Sequence, residues 1–179
     1  MRKTAKFIIA LAISLLLMLV FRAVAFTICT IDGEGLAPLL VKGDRVLVNR
    51  WSYGLRVGGE GLLVGYHRLC RRPVSRGDIV AFENPQNTSQ VIVCRCQATP
   101  GDTVTHDGQE LVVPGLNTCA NADYYWMQAI GEGNSLDSRS LGCIGEQYII
   151  GRVTAVVYSH DPDKPVWAGW RRDRTMLDI

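Results

Sequence analysis

Six cysteines, three histidines and four lysines are the side chains with which this 179-residue chain would build a nucleophile, a proton-accepting base or a metal site. Their spacing argues against most of that chemistry. The lysines are Lys3, Lys6, Lys42 and Lys164, so none falls between Gly43 and Asp163, where most of a domain must lie. The histidines are scattered at His67, His106 and His160, and His106 opens the turn His106-Asp107-Gly108, where a turn residue is a simpler reading than a ligand. Cys94 and Cys96 form a Cys-x-Cys pair without the paired C-x₂-C spacing of zinc sites, so neither a metal nor a cofactor is expected. Cys94 also has no evident base beside it. A small buried apolar residue, or half of a disulfide, is its simpler role.

The elements that would position such groups are mostly β. The stretch 32–50 is the most constrained, because Gly33 and Gly35 open backbone conformations closed to other residues while Pro38 fixes its own φ and restricts Ala37. Gly43-Asp44 then reads as a turn into a short strand over 45–49. Residues 51–76 are rich in glycine and arginine and lack a period, which suggests an irregular hairpin. Their basic cluster of Arg68, Arg71, Arg72 and Arg76 is read as a solvated loop, with anionic lipid headgroups as the alternative contact. Apolar runs at 79–82 and 91–96, separated by Asn84-Pro85-Gln86-Asn87, predict one hairpin, and 103–105 with 109–113 predict another. A long strand is expected over 146–158.

Several segments together resemble bacterial type I signal peptidases. Gly35-Leu36-Ala37-Pro38-Leu39-Leu40-Val41-Lys42-Gly43-Asp44 is similar to that family's nucleophile box, Ser-Met-x-Pro-Thr-Leu followed by Gly-Asp, and the alignment puts Gly35 where the serine should stand. Cys94-Arg95-Cys96-Gln97-Ala98-Thr99-Pro100-Gly101-Asp102 resembles the segment that carries the general-base lysine, and the lysine position is Cys94. Asn134-Ser135-Leu136-Asp137-Ser138-Arg139 resembles a third box near the active centre. By that resemblance Ser135 would sit near the absent lysine, while Asp137 and Arg139 would form a supporting ion pair. The resemblance implies a mainly β fold, a signal-peptidase-like coiled antiparallel β-barrel domain preceded by one N-terminal transmembrane helix. It also implies a groove where an extended preprotein segment adds as a further strand. The catalytic dyad works as a unit, so the expectation is an inactive relative.

The N-terminus fits a membrane anchor. Arg2, Lys3 and Lys6 precede an uncharged apolar run over 7–21, and residues 23–28 are expected to lengthen the span. Ala23-Val24-Ala25 also resembles a signal-peptide processing site, and a buried core helix is the third alternative. With the basic residues first, the positive-inside rule places the N-terminus in the cytoplasm and the main domain outside. The organisation expected is an anchor over 1–26, a β domain over 27–160 and a tail over 161–179 that is loosely ordered or rests on the membrane interface. An extracytoplasmic domain permits disulfides, and Cys119 with Cys143 is the first pairing expected, closing a loop with little core of its own.

A net charge of +2 gives no footing for nucleic-acid binding. The function expected is a single-pass cell-membrane protein that binds or helps assemble exported proteins, with preproteins, the lipid bilayer and an active signal peptidase as its partners. The alternatives are an active type I signal peptidase with unrecognised catalytic residues, and a structural subunit that positions an active one.

Overall fold

The computed structural model describes residues 2–33, 35–58, 66–118, 120–131, 136–165 and 167–179. A 24-residue helix, α1 (Arg2–Ala25), starts the chain, built from Ala, Leu, Ile and Met with no glycine or proline to break it. It stops where Phe-Thr-Ile-Cys-Thr begins, because β1 (Phe26–Thr30) is taken up by the sheet. Residues 26–28 therefore do not lengthen the helix as the sequence suggested. The side chains of Phe7, Leu11, Leu17 and Met18 are exposed, unlike those of a core helix. Among the described residues no helix is long and apolar enough to cross a membrane.

The remaining strands follow as β2 (Asp44–Asn49), β3 (Leu55–Val57), β4 (His67–Leu69), β5 (Ile79–Asn84) and β6 (Asn87–Ala98). After them come β7 (Thr103–His106), β8 (Gln109–Val112), β9 (Tyr124–Gln128), β10 (Ile144–Gly145), β11 (Ile149–Ser159) and β12 (Leu177–Asp178). The predicted hairpins are β5/β6 and β7/β8. In the second, Asp107 and Gly108 both take positive φ, the conformation a two-residue turn demands. The strand expected over 146–158 opens instead with a short 3₁₀ turn, Glu146–Tyr148, before β11 begins.

The main sheet holds eight described strands, antiparallel in the order β1-β2-β11-β5-β6-β9-β10, with β12 added against β11. Bulges in β11 opposite β2 and β5, and another between β6 and β9, sharpen the twist and coil the sheet. One face packs Val80, Phe82, Cys94, Cys96, Tyr125 and Met127. The other packs Leu36, Leu40, Val46, Val48, Ala81 and Val153. The expected barrel is not closed. Among the described residues β1 pairs only with β2, and β9 meets β6 only from Arg95 onwards, so the outer edge of β1 and the edge of the first half of β6 turned away from β5 face each other unpaired.

Two surface segments differ from their sequence reading. Arg68 is not part of a solvated loop: its side chain is 1% exposed, and its guanidinium donates to the carbonyls of Gly54, Glu146 and Ile149 and pairs with Glu146. Arg71 pairs with Glu146 and Asp123. Burying the Arg68 guanidinium demands such partners, and the carbonyls of Gly54, Glu146 and Ile149 supply them. The tail is not loose either. His160 bridges to Trp170, β12 extends the sheet, and Arg174 reaches back to the loop before β2. That loop turns tightly at Gly43 (φ 93°), where a Cβ would lie 2.0 Å from the His160 carbonyl oxygen.

Asp44 is fully buried there, accepting from the Val41 N–H at 3.0 Å and from Arg174 at 2.8 Å. Burial pushes its carboxyl up, but the bonds from Arg174 and Val41 more than reverse this and hold it below the usual carboxylate range. Its contribution to stability is therefore present above the unfolded pKa of about 3.9 and is lost as pH falls through the lower folded value. Arg174→Ala strands the carboxylate and is expected to cost about 3 kcal/mol at pH 7. Urea denaturation at pH 7 and near pH 3 checks this, and the difference between the two proteins should shrink at the acid end.

Candidate functional site

Between the unpaired edges of β1 and β6 opens a cleft of about 860 Å³. Ile28 and Thr30 line one wall, Ser89, Val91 and Val93 the other, and Gly35 and Leu136 also border it. The backbone polarity of the β1 wall follows from its pairing. Arg50 N–H donates to the Ala25 carbonyl, Ile31 N–H to the Asp44 carbonyl and Gly43 N–H to the Ile31 carbonyl, so the odd-numbered residues of this strand turn their peptide groups to β2. By the strand's period of two, Phe26, Ile28 and Thr30 turn theirs towards open space. This edge was missed in the sequence. Its signal was the β-branched alternation of Thr27, Ile28 and Thr30, hidden by an apolar helix running straight into it.

The loop after β1 sets the cleft's border through its own hydrogen bonds. The Gly35 carbonyl accepts from Ile130 N–H at 2.7 Å and from Gly131 N–H at 2.8 Å. Leu36 and Leu40, one helical turn apart, plug the core beneath β2, and the Ala37–Pro38 bond between them is cis. Arg174 donates to the Leu39 carbonyl at 2.7 Å, so the tail braces the same loop from outside.

Cys94 lies on β6 opposite Val80, buried with the core. Its thiol donates to the Leu136 carbonyl at 3.7 Å, which brings it beneath the residue that borders the cleft beside Gly35. Burial, with the nearby Asp137 carboxylate adding to it, pushes the Cys94 thiol up to about 12. Burial and Asp78 do the same for Cys96. Both remain neutral thiols at physiological pH.

Asp137 is buried and caps α2 (Ser138–Leu141), accepting from the Arg139 N–H at 2.9 Å and from the Ala129 N–H at 3.1 Å. The Arg139 guanidinium pairs with it at 2.7 Å. Burial pushes the Asp137 carboxyl up, but Arg139 and the two N–H groups win and hold it low. Ser138 Oγ accepts from Met127 N–H at 2.8 Å, so this segment is pinned to the end of β9. Ser135 and Cys119 lie outside the described residues. The expected Cys119–Cys143 pairing therefore lies outside them too; Cys143 itself is a half-buried free thiol. Cys29, Cys70, Cys94 and Cys96 are free as well.

The cleft thus offers unpaired strand edges but little proton-transfer chemistry. Among the described residues lining it, neither Ser89 nor Cys29 has its side chain bonded to a basic group, and no lysine takes part. Among the described residues no cluster of His, Cys, Asp or Glu is arranged to hold a metal.

Residues 4–125 match the family model described as signal peptidase, peptidase S26. The chain is 26% identical over 171 residues to signal peptidase IB of Staphylococcus aureus, covering 86% of this chain and 88% of that protein. It is 29% identical over 111 residues to mitochondrial inner membrane protease subunit 1 of Schizosaccharomyces pombe, covering 59% of this chain and 66% of that one. It is 31% identical over 77 residues to signal peptidase I of Buchnera aphidicola, covering 43% of this chain but only 24% of that protein.

Thiol reactivity distinguishes the two kinds of cysteine. In the folded protein at pH 8, iodoacetamide is expected to label exposed Cys70 well ahead of Cys94 and Cys96, since alkylation requires an accessible thiolate. Peptide mass mapping of the time course checks this.

Proposed function

The chain belongs to the signal peptidase family, peptidase S26, and on that footing we propose a membrane-anchored relative that binds extended segments of exported proteins without cutting them. The observation that supports this reading is a cleft bordered by Gly35 and Leu136, with the Cys94 thiol bonded to the Leu136 carbonyl; by the sequence resemblance Gly35 and Cys94 would hold the family's nucleophile and base positions. Glycine has no atom to attack with. Cys94 is neutral, buried and bonded to a carbonyl, so it neither accepts a proton nor reaches a substrate. Strand addition needs only the backbone groups of Ile28 and Thr30 and an open neighbour, and these remain. Asp137 and Arg139 then act as a brace for the border at Leu136 and not as part of a reaction.

The anchor is the apolar run of α1, with its N-terminus in the cytoplasm and the β domain outside; the run by itself is too short to cross, so the residues flanking it at the interface complete the anchorage. Its support is the basic start of the chain and the exposed apolar side chains of the helix. Phe21 and Trp51 meet at a ring separation of 6.3 Å, placing an aromatic pair near the base of the helix, a position suited to the headgroup level. Clients are preproteins bearing signal peptides.

Binding and cutting are separable by experiment. Purified full-length chain in detergent micelles is expected to bind a preprotein with an Ala-x-Ala site and to release no product. Ile28→Pro should abolish binding while leaving the fold intact, because the N–H it removes points away from β2. Gly35→Ser and Cys94→Lys are each expected to stay inactive, while the double variant regains slow cleavage. Cleavage by the unmodified protein, lost on changing some other serine or cysteine, would overturn the reading.

A further inference from the structure

A second pocket of about 190 Å³ adjoins the cleft, and Cys29 and Val91 line both. It lies on the inner face of β1, because Thr27 and Cys29 are that strand's half-buried residues while Phe26, Ile28 and Thr30 are exposed. Three charged side chains line it: Arg50 from the end of β2, Arg56 from β3 and Glu83 from β5. Arg56 and Glu83 satisfy each other through two contacts of 3.0 Å. Among the described residues no carboxylate pairs with Arg50, so the pocket keeps one uncompensated positive charge. Burial pushes the Cys29 thiol up, and it adds no competing anion.

We propose that this pocket reads an acidic side chain on the segment docked along β1, with Arg50 as the residue that recognises it. The inference rests on the strand-docking reading of the cleft and adds a charge requirement to it. A strand added to the outer edge of β1 sends alternate side chains to the inner face, as Thr27 and Cys29 are sent. The side chain that lands beside these two enters the pocket, where Arg50 meets a carboxylate with a charge-assisted hydrogen bond. A lysine there would face Arg50 across a pocket where Glu83, the one carboxylate among the described lining residues, is already held by Arg56. The backbone of Arg50 is held at the pocket, since its N–H donates to the Ala25 carbonyl where the helix gives way to β1. Selection therefore acts a few residues away from Gly35, and it acts on charge.

The test uses full-length protein in detergent micelles and fluorescein-labelled ten-residue peptides of Ala, Val and Ser. A single Glu is moved through every position, with Gln at the same position as control, and binding is followed by anisotropy. At one position, or two on the same strand face, Glu is expected to bind about tenfold tighter than Gln. That preference should weaken with added salt, persist in Arg50→Lys and vanish in Arg50→Gln. In Arg50→Glu it should reverse in favour of Lys. Ile28→Pro should remove the binding of every peptide, whatever its charge. If neutral peptides bind and no position prefers Glu, or if the preference survives Arg50→Gln, the charge-reading role is wrong while strand docking stands. If neither neutral nor acidic peptides bind, both readings fall.

Discussion

A single buried carboxylate holds three parts of this chain together. Asp44 begins β2, closes the loop from Gly35 by accepting the Val41 N–H, and receives the guanidinium of Arg174 from the far end of the chain. Each partner serves a different segment, so the loop, the central strand pair and the tail are positioned by one charge in a site that excludes water. Such a charge is tolerated only when its partners are all in place, which is why the tail folds back across the loop instead of leaving it to solvent. Arg174 extends the brace by donating to the Leu39 carbonyl, and Arg171 adds a bond to the Lys42 carbonyl.

The cleft depends on that brace. Its border at Gly35 is held from one side by the N–H groups of Ile130 and Gly131 and from the other by the plug of Leu36 and Leu40. The border at Leu136 is held by Asp137, whose carboxylate takes N–H bonds from two segments and an ion pair besides. These bonds hold both borders of the cleft in place. A groove that recognises backbone is insensitive to the loss of a hydroxyl and an amine, because unpaired N–H and C=O groups on a strand edge supply the contacts.

How much of this was readable from residues alone varied with the range of the interaction. The β2 strand, the β5/β6 and β7/β8 hairpins and the turn at Asp107-Gly108 follow from local alternation and turn chemistry. The motif around Pro38 and Gly43-Asp44 located the loop that borders the cleft. These features depend on residues near one another in sequence, where side-chain type decides backbone shape directly.

Other features needed distant partners. Residues 26–28 looked like the end of an apolar helix, and only pairing with β2 makes Phe26–Thr30 a strand with a free outer edge. Arg68 looked like a surface charge until the carbonyls of Gly54, Glu146 and Ile149 were brought around it. The tail looked loose because Asp44, the partner of Arg174, lies 130 residues away. The cleft stays open because β9 meets β6 only from Arg95 onwards, a matter of register between distant strands. By itself the sequence determined local strands and turns, because composition and short-range sterics suffice for them. The tertiary structure alone decided which backbone edges remain unpaired and which charges are compensated, because both depend on groups brought together only when the chain closes on itself.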